Sequence, residues 1–214
     1  MPGVPEPPRP FDPLIETVEP STMLYRVHTT VLESNLQNDG TVPNPGIGQR
    51  SRFGFFGDPV VPLLYAASSE EAAVHESLLH SLGPGTCIPL SQLQLKALTP
   101  LEVVQPLHLV SFRGAGLRRF GLHPRDLTDT DASQYQHTVK WAESAWKHGA
   151  DGVVYMCRNF NQAASYCLFG TTSGQSLKAQ QGWPPRHHFT LLQRDRDWLV
   201  EVAAAVGIHI DLTC

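Results

Sequence analysis

Leu63-Leu64-Tyr65-Ala66-Ala67-Ser68-Ser69-Glu70-Glu71-Ala72-Ala73-Val74-His75-Glu76-Ser77-Leu78-Leu79 passes from one hydrophobic period to another without a linker. The apolar start reads as a buried strand over residues 62–67. Ser68 stands three positions before Glu71, a capping-box spacing, so a helix is predicted to begin there. Gly83-Pro84-Gly85 is predicted to stop it. On that helix Glu76 has Ala72, Ala73, Leu79 and His80 as neighbours. A carboxylate on so apolar a face is desolvated unless a partner or a cationic ligand compensates. A surface glutamate beside Glu70 and Glu71 is the other reading, and the pattern alone leaves the two even.

Towards the N-terminus, Met23-Leu24-Tyr25-Arg26-Val27-His28 reads as a strand, with Leu24, Arg26 and His28 on one face and Tyr25 and Val27 on the other. An arginine inside an apolar strand points either to a bound anion or to an edge position from which it reaches water. Arg52, within a strand expected over residues 51–56, raises the same two readings, and Gly54 and Gly57 permit close backbone approach. Tyr65 alone is a core residue as readily as a base-stacking one. Residues 31–48 hold Asn-Asp-Gly and Asn-Pro-Gly and are predicted to be a surface loop. Residues 1–13 carry six prolines and are predicted to be extended, with order beginning near Ser21.

Towards the C-terminus, residues 91–98 and 101–112 suggest short strands broken at Pro100 and Pro106. Residues 113–121 suggest a helical turn and loop. Residues 130–149 suggest an amphipathic helix with Val139, Ala142 and Trp146 inward and Gly149 as its terminating glycine. Strands follow at residues 152–156 and 165–169, with another at 189–193. A helix over residues 197–206 stops at Gly207 and leads to a last strand over 208–212. Strands scattered among a few helices, without regular alternation, predict an α+β fold.

Hydrophobic residues make up 41% of the 214 and charged residues 17%, the composition of one globular domain. The net charge of −4 argues against a direct grip on nucleic acid, which needs a basic surplus. No apolar run is long enough for a membrane helix, and no secretory leader is visible. Cys87, Cys157, Cys167 and Cys214 form no paired motif, so reduced thiols and a cytoplasmic location are expected. Ten histidines show no metal-site spacing, and His187-His188 reads as surface loop. Cys157, after the strand that ends Val154-Tyr155-Met156, reads as a buried inert thiol.

Together these segments resemble the RES domain family, named for an arginine, a glutamate and a serine. The matching stretches are Leu24-Tyr25-Arg26-Val27-His28, Ser51-Arg52-Phe53, Leu64-Tyr65-Ala66-Ala67 leading to Glu76, Trp141-Ala142, Gly149 to Tyr155, Arg158, and Cys167-Leu168-Phe169-Gly170. The resemblance covers about residues 20–170. It implies a split, mostly antiparallel sheet like that of ADP-ribosyltransferases, in a catalytic domain over residues 21–214 behind an arm of residues 1–20. It also implies an NAD+-degrading toxin cleaving the nicotinamide–ribose bond, with water or phosphate as acceptor, no metal, and a helix-turn-helix antitoxin as partner. Arg26 matches the family arginine and Glu76 the family glutamate, with Tyr25, Arg52 and Tyr65 around the NAD+. The serine position, two residues after Tyr155, holds Cys157, a larger and weaker hydrogen-bonding group, and Ser165 lies too far along to replace it. That departure leaves two alternatives beside NAD+ degradation: ADP-ribosylation of a protein, or a module that binds NAD+ or a partner without turnover.

Overall fold

The strand and helix expected around Tyr65 form, and they stand at the seam of the molecule. The computed structural model describes residues 3–32, 34–170, 172–180 and 187–212; Met1 and Pro2 of the proline-rich segment and Cys214 lie outside these. In chain order the elements are β1 (Ile15–Val18), β2 (Met23–Thr29), β3 (Leu63–Ala67), α1 (Glu70–Ser77), β4 (Cys87–Pro89), β5 (Lys96–Val103) and β6 (Leu107–Phe112). They continue with α2 (Gly114–Arg119), α3 (Pro124–Leu127), α4 (Tyr135–Lys147), β7 (Gly152–Met156), β8 (Ala164–Phe169) and α5 (Thr172–Gln175). Last come β9 (Leu177–Ala179), β10 (His187–His188), α6 (Gln193–Ala204) and β11 (His209–Asp211).

One large sheet runs β1-β6-β7-β8-β3-β2-β5-β10, with β9 also on β5, and β4 pairs β11 in a small parallel sheet. Among the described residues only β6 and β7 are parallel within the large sheet, which makes the fold α+β with a mostly antiparallel core, as expected. The sheet is split between β3 and β2. These strands meet at one register pair, Tyr25↔Ala67, whereas β2 and β5 pair from Met23↔Glu102 to Thr29↔Lys96. Farther along β3, Leu63 exchanges backbone hydrogen bonds with Asn44 instead. The 40–44 segment therefore takes β2's place, and the half-sheets diverge around it.

Each half-sheet has a core of its own, and a third, with Leu24, Leu64, Leu101 and Val154, is common to both. Trp141, Phe112, Phe53 and Tyr155 pack between β6, β7 and α4, while Val74, Leu98, Phe189 and Leu199 pack beneath α1 and α6. Truncating a fully buried aromatic such as Trp141 (1% exposed) to alanine typically costs roughly 3–5 kcal/mol. The buried face of α4 is Thr138, Trp141, Ala142 and Ala145, rotated from the expected stripe, and Trp146 is 40% exposed. Gly149 follows the helix at φ +90°, as a terminating glycine should.

Order begins ahead of Ser21. Ile15–Val18 pairs with β6, Phe11 stacks on Phe120 at 5.2 Å, and Trp141 Nε1 donates to the Pro5 carbonyl at 2.8 Å. A proline-rich segment lacks N–H donors but keeps its carbonyls, so it is held from the domain side.

Other expectations are corrected. Ser69, not Ser68, caps α1 by accepting from Ala72 N at 3.2 Å; Ser68 Oγ accepts from Ala164 N and joins α1 to β8. The helix ends at Ser77, before the glycines. Residues 51–56 form no strand: Ser51 bridges Gly54, and the Tyr65 hydroxyl accepts from Phe53 N, so a side chain replaces a ladder. Residues 90–93 form a 3-10 turn, and β5 then runs straight through Pro100. Its odd-numbered neighbours bond β2 (Val103 N to Thr22 O, Thr30 N to Leu95 O), so the missing N–H of Pro100 faces the other edge. Residues 189–192 form a turn, with the strand at His187–His188. His187 is buried rather than in a surface loop, held between Glu70 and Asp195.

Candidate active site

Where the half-sheets part, α1 crosses the opening and lowers Glu76 into it. Ala72, Ala73 and Leu79 are buried beneath the helix, as its apolar spacing requires, which leaves Glu76 half-buried at the edge of that face. Its carboxylate has defined partners. Oε2 accepts from the Tyr155 hydroxyl at 3.2 Å, and Oε1 accepts from the backbone N–H of Arg158 at 3.1 Å. The Cys157 thiol lies near enough for the carboxylate to raise its pKa. Among the described residues no salt bridge reaches Glu76. Neutral donors thus aim the carboxylate without cancelling its charge.

Two adjoining cavities open here. One, about 320 Å³, is lined by Arg52, Tyr65, Glu76, Tyr135, Tyr155 and Arg158. The other, about 40 Å³, reaches Tyr25 and Arg26 and shares Tyr65, Glu76, Ser77 and Tyr155 with the first. The larger volume is within the range of small-molecule sites. Arg26 and Glu76, fifty residues apart in sequence, therefore face one space. A groove of about 740 Å³ between the proline-rich segment and α4 is larger, but its lysines are taken up by pairs, Lys140 with Glu6 and Lys147 with Glu143.

The cleft arginines already carry hydrogen bonds. Arg26 Nη1 donates to the carbonyls of Gly40 (2.7 Å) and Val42 (2.9 Å), so this guanidinium also holds the segment wedged between the half-sheets. Burial lowers its pKa to about 10, with Asp39 opposing, which leaves it a cation at neutral pH. Gly40 sits at φ +100°, and a Cβ there would come within 3.1 Å of His28, so the wedge needs glycine at that turn. Arg52 is 8% exposed; its Nη1 donates to Thr130 O and Thr130 Oγ1, both at 3.0 Å, and the guanidinium lies 5.4 Å above the Tyr135 ring.

Tyr65 shares a 2.8 Å hydrogen bond with Ser51 Oγ, and burial holds its hydroxyl protonated, well above the usual phenol range. Tyr155 is raised likewise, by burial first and then by the charge of Glu76, so it stays a donor to that carboxylate. Cys157 is fully buried and lines neither cavity. Burial, with Glu76 next, pushes its thiol up to about 12, the opposite of an activated nucleophile. Ser165 is buried across the sheet from Tyr155, and its hydroxyl has no hydrogen-bond partner among the described residues.

Sequence reasoning named Glu76, Arg26, Tyr25, Arg52, Tyr65 and, at the family serine position, Cys157 as an NAD+ contact; the first five line the cavities and Cys157 does not. It missed Tyr155 as a site residue, because a tyrosine ending an apolar strand looks like core. It quoted Arg158 without giving it a role, and it gave none to Tyr135. Only the turn after β7 brings Arg158 back against Glu76. Among the described residues no group of three or more metal-ligating side chains is found, and no helix is long and apolar enough to cross a membrane.

A family model described as RES domain matches residues 23–191. Among solved structures, the chain is similar to one from the M. tuberculosis MbcT-MbcA toxin-antitoxin complex, with 17% identity and a TM-score of 0.51, covering 77% of this chain and 84% of that one. At that identity the likeness speaks for the fold. No curated protein matches the chain.

Proposed function

Since the chain belongs to the RES domain family, we propose that its cleft binds NAD+ and breaks the nicotinamide–ribose bond, as the toxin of a toxin–antitoxin pair. The observation that carries this is Glu76, held by two neutral donors and open to the same space as Arg26. Such a carboxylate is matched to a substrate whose reacting centre gains positive charge.

As the C1′–N bond breaks, its electron pair goes to the pyridinium nitrogen and nicotinamide leaves neutral. The positive charge moves onto C1′ and the ring oxygen, and Glu76 stabilises it. Water or phosphate then adds at C1′; water gives up one proton to solvent. No Lewis acid is required for a neutral pyridine leaving a cation. Arg26, on the smaller cavity, and Arg52, on the larger, contribute positive field to the pyrophosphate, and Tyr25 and Tyr65 offer rings to the nicotinamide side. Cys157, in the place of the family serine, is buried and lines neither cavity. An antitoxin of helix-turn-helix type, bringing the DNA contact that a chain of net charge −4 lacks, is the proposed partner.

Product analysis tests the reading. Purified protein incubated with NAD+ should release free nicotinamide, and comparing runs with and without phosphate identifies the acceptor. Glu76→Gln should lower the rate on the order of a hundredfold or more. A wild-type protein that releases none, or a variant as fast as wild type, ends the proposal. Label from NAD+ retained on a protein band would redirect the second step to a protein acceptor.

A further inference from the structure

Arg158 enters the cleft from the turn after β7 and spreads its guanidinium over the loop between α3 and α4. Nε lies 2.6 Å from Asp129 Oδ1, Nη2 lies 3.3 Å from Asp131 Oδ1, and Nη1 donates to the Thr130 carbonyl at 3.2 Å. Arg52 donates to the same carbonyl. Two arginines that line the larger cavity therefore converge on three consecutive residues, Asp129, Thr130 and Asp131.

They differ in what holds them. Arg52 is buried against Tyr135 and bonded to Thr130, so it is fixed as part of the wall. The Arg158 side chain is 38% exposed, and its partners Asp129 and Asp131 are 50% and 81% exposed. Ion pairs so open to water contribute little to stability, so an incoming anion can exchange with them at low cost. A guanidinium that grips carboxylates through Nε and Nη2 presents the same planar fork to phosphate oxygens.

We propose that Arg158 grips the ligand's phosphate directly, where Arg26 and Arg52 contribute field, and that Asp129 and Asp131 are internal competitors that hold its guanidinium until a pyrophosphate-bearing ligand displaces them. The inference rests on the dinucleotide reading above and refines it to a selection rule. A nicotinamide nucleoside without phosphate gains nothing from Arg158, whereas a dinucleotide takes the place of both carboxylates. The exchange occurs at the side chain while the Arg158 N–H stays on Glu76. One residue thus joins recognition of the phosphate to orientation of the carboxylate.

Titration calorimetry on the full chain tests this with inorganic pyrophosphate, NAD+ and nicotinamide riboside as probes. Asp129→Asn/Asp131→Asn should bind pyrophosphate and NAD+ roughly tenfold more tightly, with nicotinamide riboside unchanged. Arg158→Gln should bind pyrophosphate roughly tenfold more weakly or worse and should lose its preference for NAD+ over the riboside. Arg158→Lys, which keeps the charge but not the fork, should fall between wild type and Arg158→Gln and guards against a disturbed loop. Pyrophosphate binding no tighter in the double variant overturns the competitor role, and unchanged binding in Arg158→Gln overturns the recognition role. Should pyrophosphate behave as expected while NAD+ releases no nicotinamide, the anion site stands and the reaction does not.

Discussion

Helix α1 carries a glutamate at each end, and the two are used in opposite ways. Glu70, in its first turn, lies 3.5 Å from His187 Nε2, and the other ring nitrogen lies 3.3 Å from the fully buried Asp195. His187 stacks on Trp198 at 4.7 Å, and Asp195 also pairs with Arg194 and accepts from His188 N. In that network Glu70 is answered by the His187 ring and Asp195 by a guanidinium and a backbone N–H, and it ties α6 and β10 to α1. Glu76, two turns on, meets a phenol, a backbone N–H and a thiol, none of which brings a positive charge. The lesson is that burial of a carboxylate does not mark a site. The charge of its partners does, because a carboxylate answered by cations has nothing left to offer a ligand.

The largest expected contrast is between the two glutamates. Glu76→Gln should remove on the order of a hundredfold from nicotinamide release and leave the melting temperature nearly unchanged, whereas Glu70→Gln should do the reverse. Equal loss of rate in both would break the comparison.

Tyr155→Phe sharpens it. Losing one neutral hydrogen bond to Glu76 should lower kcat about tenfold, with KM nearly constant. A fall in stability with kcat unchanged would make Tyr155 a packing residue only.

A smaller effect concerns His187. Its hydrogen bond to Glu70 raises its pKa above the ordinary histidine value, with burial opposing. A raised folded pKa stabilises fully below the unfolded value, about 6.5, and that stability is lost as pH rises through the folded value. Urea unfolding between pH 6 and 8.5 should therefore show stability falling as pH rises, and His187→Phe, which keeps the stacking, should flatten the slope. A slope that persists in the variant would assign it elsewhere.

The smallest effect is at Cys157. With its thiol near 12, roughly one part in ten thousand is thiolate at pH 8, so maleimide should spare it in the native protein while labelling the exposed Cys87. Fast native labelling of Cys157 would show that the floor beneath Glu76 is open.

Local patterns made much of this legible. β2, β3, β7 and β8 follow from short apolar runs, and α1 from the serine–glutamate signal that precedes it, displaced by one residue because Ser68 is drawn to Ala164 N. Residues 51–56 failed because the partner that folds them is a tyrosine hydroxyl twelve to fourteen positions away. Pro100 failed as a breaker because which edge lacks a donor depends on register, and register is set between strands. In the site, Glu76 and Arg26 stood out as charges among apolar neighbours. Tyr155, Arg158 and Thr130 did not, because their meaning lies in partners that sequence spacing does not show.

The sequence by itself determined that there is one α+β domain without the charge for nucleic acid, and that an arginine on an early strand and a glutamate on a capped helix are out of keeping with their neighbours. Periodicity and local charge are enough for that, since they act within a turn or a strand. Only the tertiary structure decided that the two face one opening, that the sheet parts at Tyr25↔Ala67 to make it, and that Glu76 is answered by neutral donors while Glu70 is answered by a histidine. Those outcomes depend on which distant groups burial brings into hydrogen-bond range, and that is settled by packing the whole chain at once.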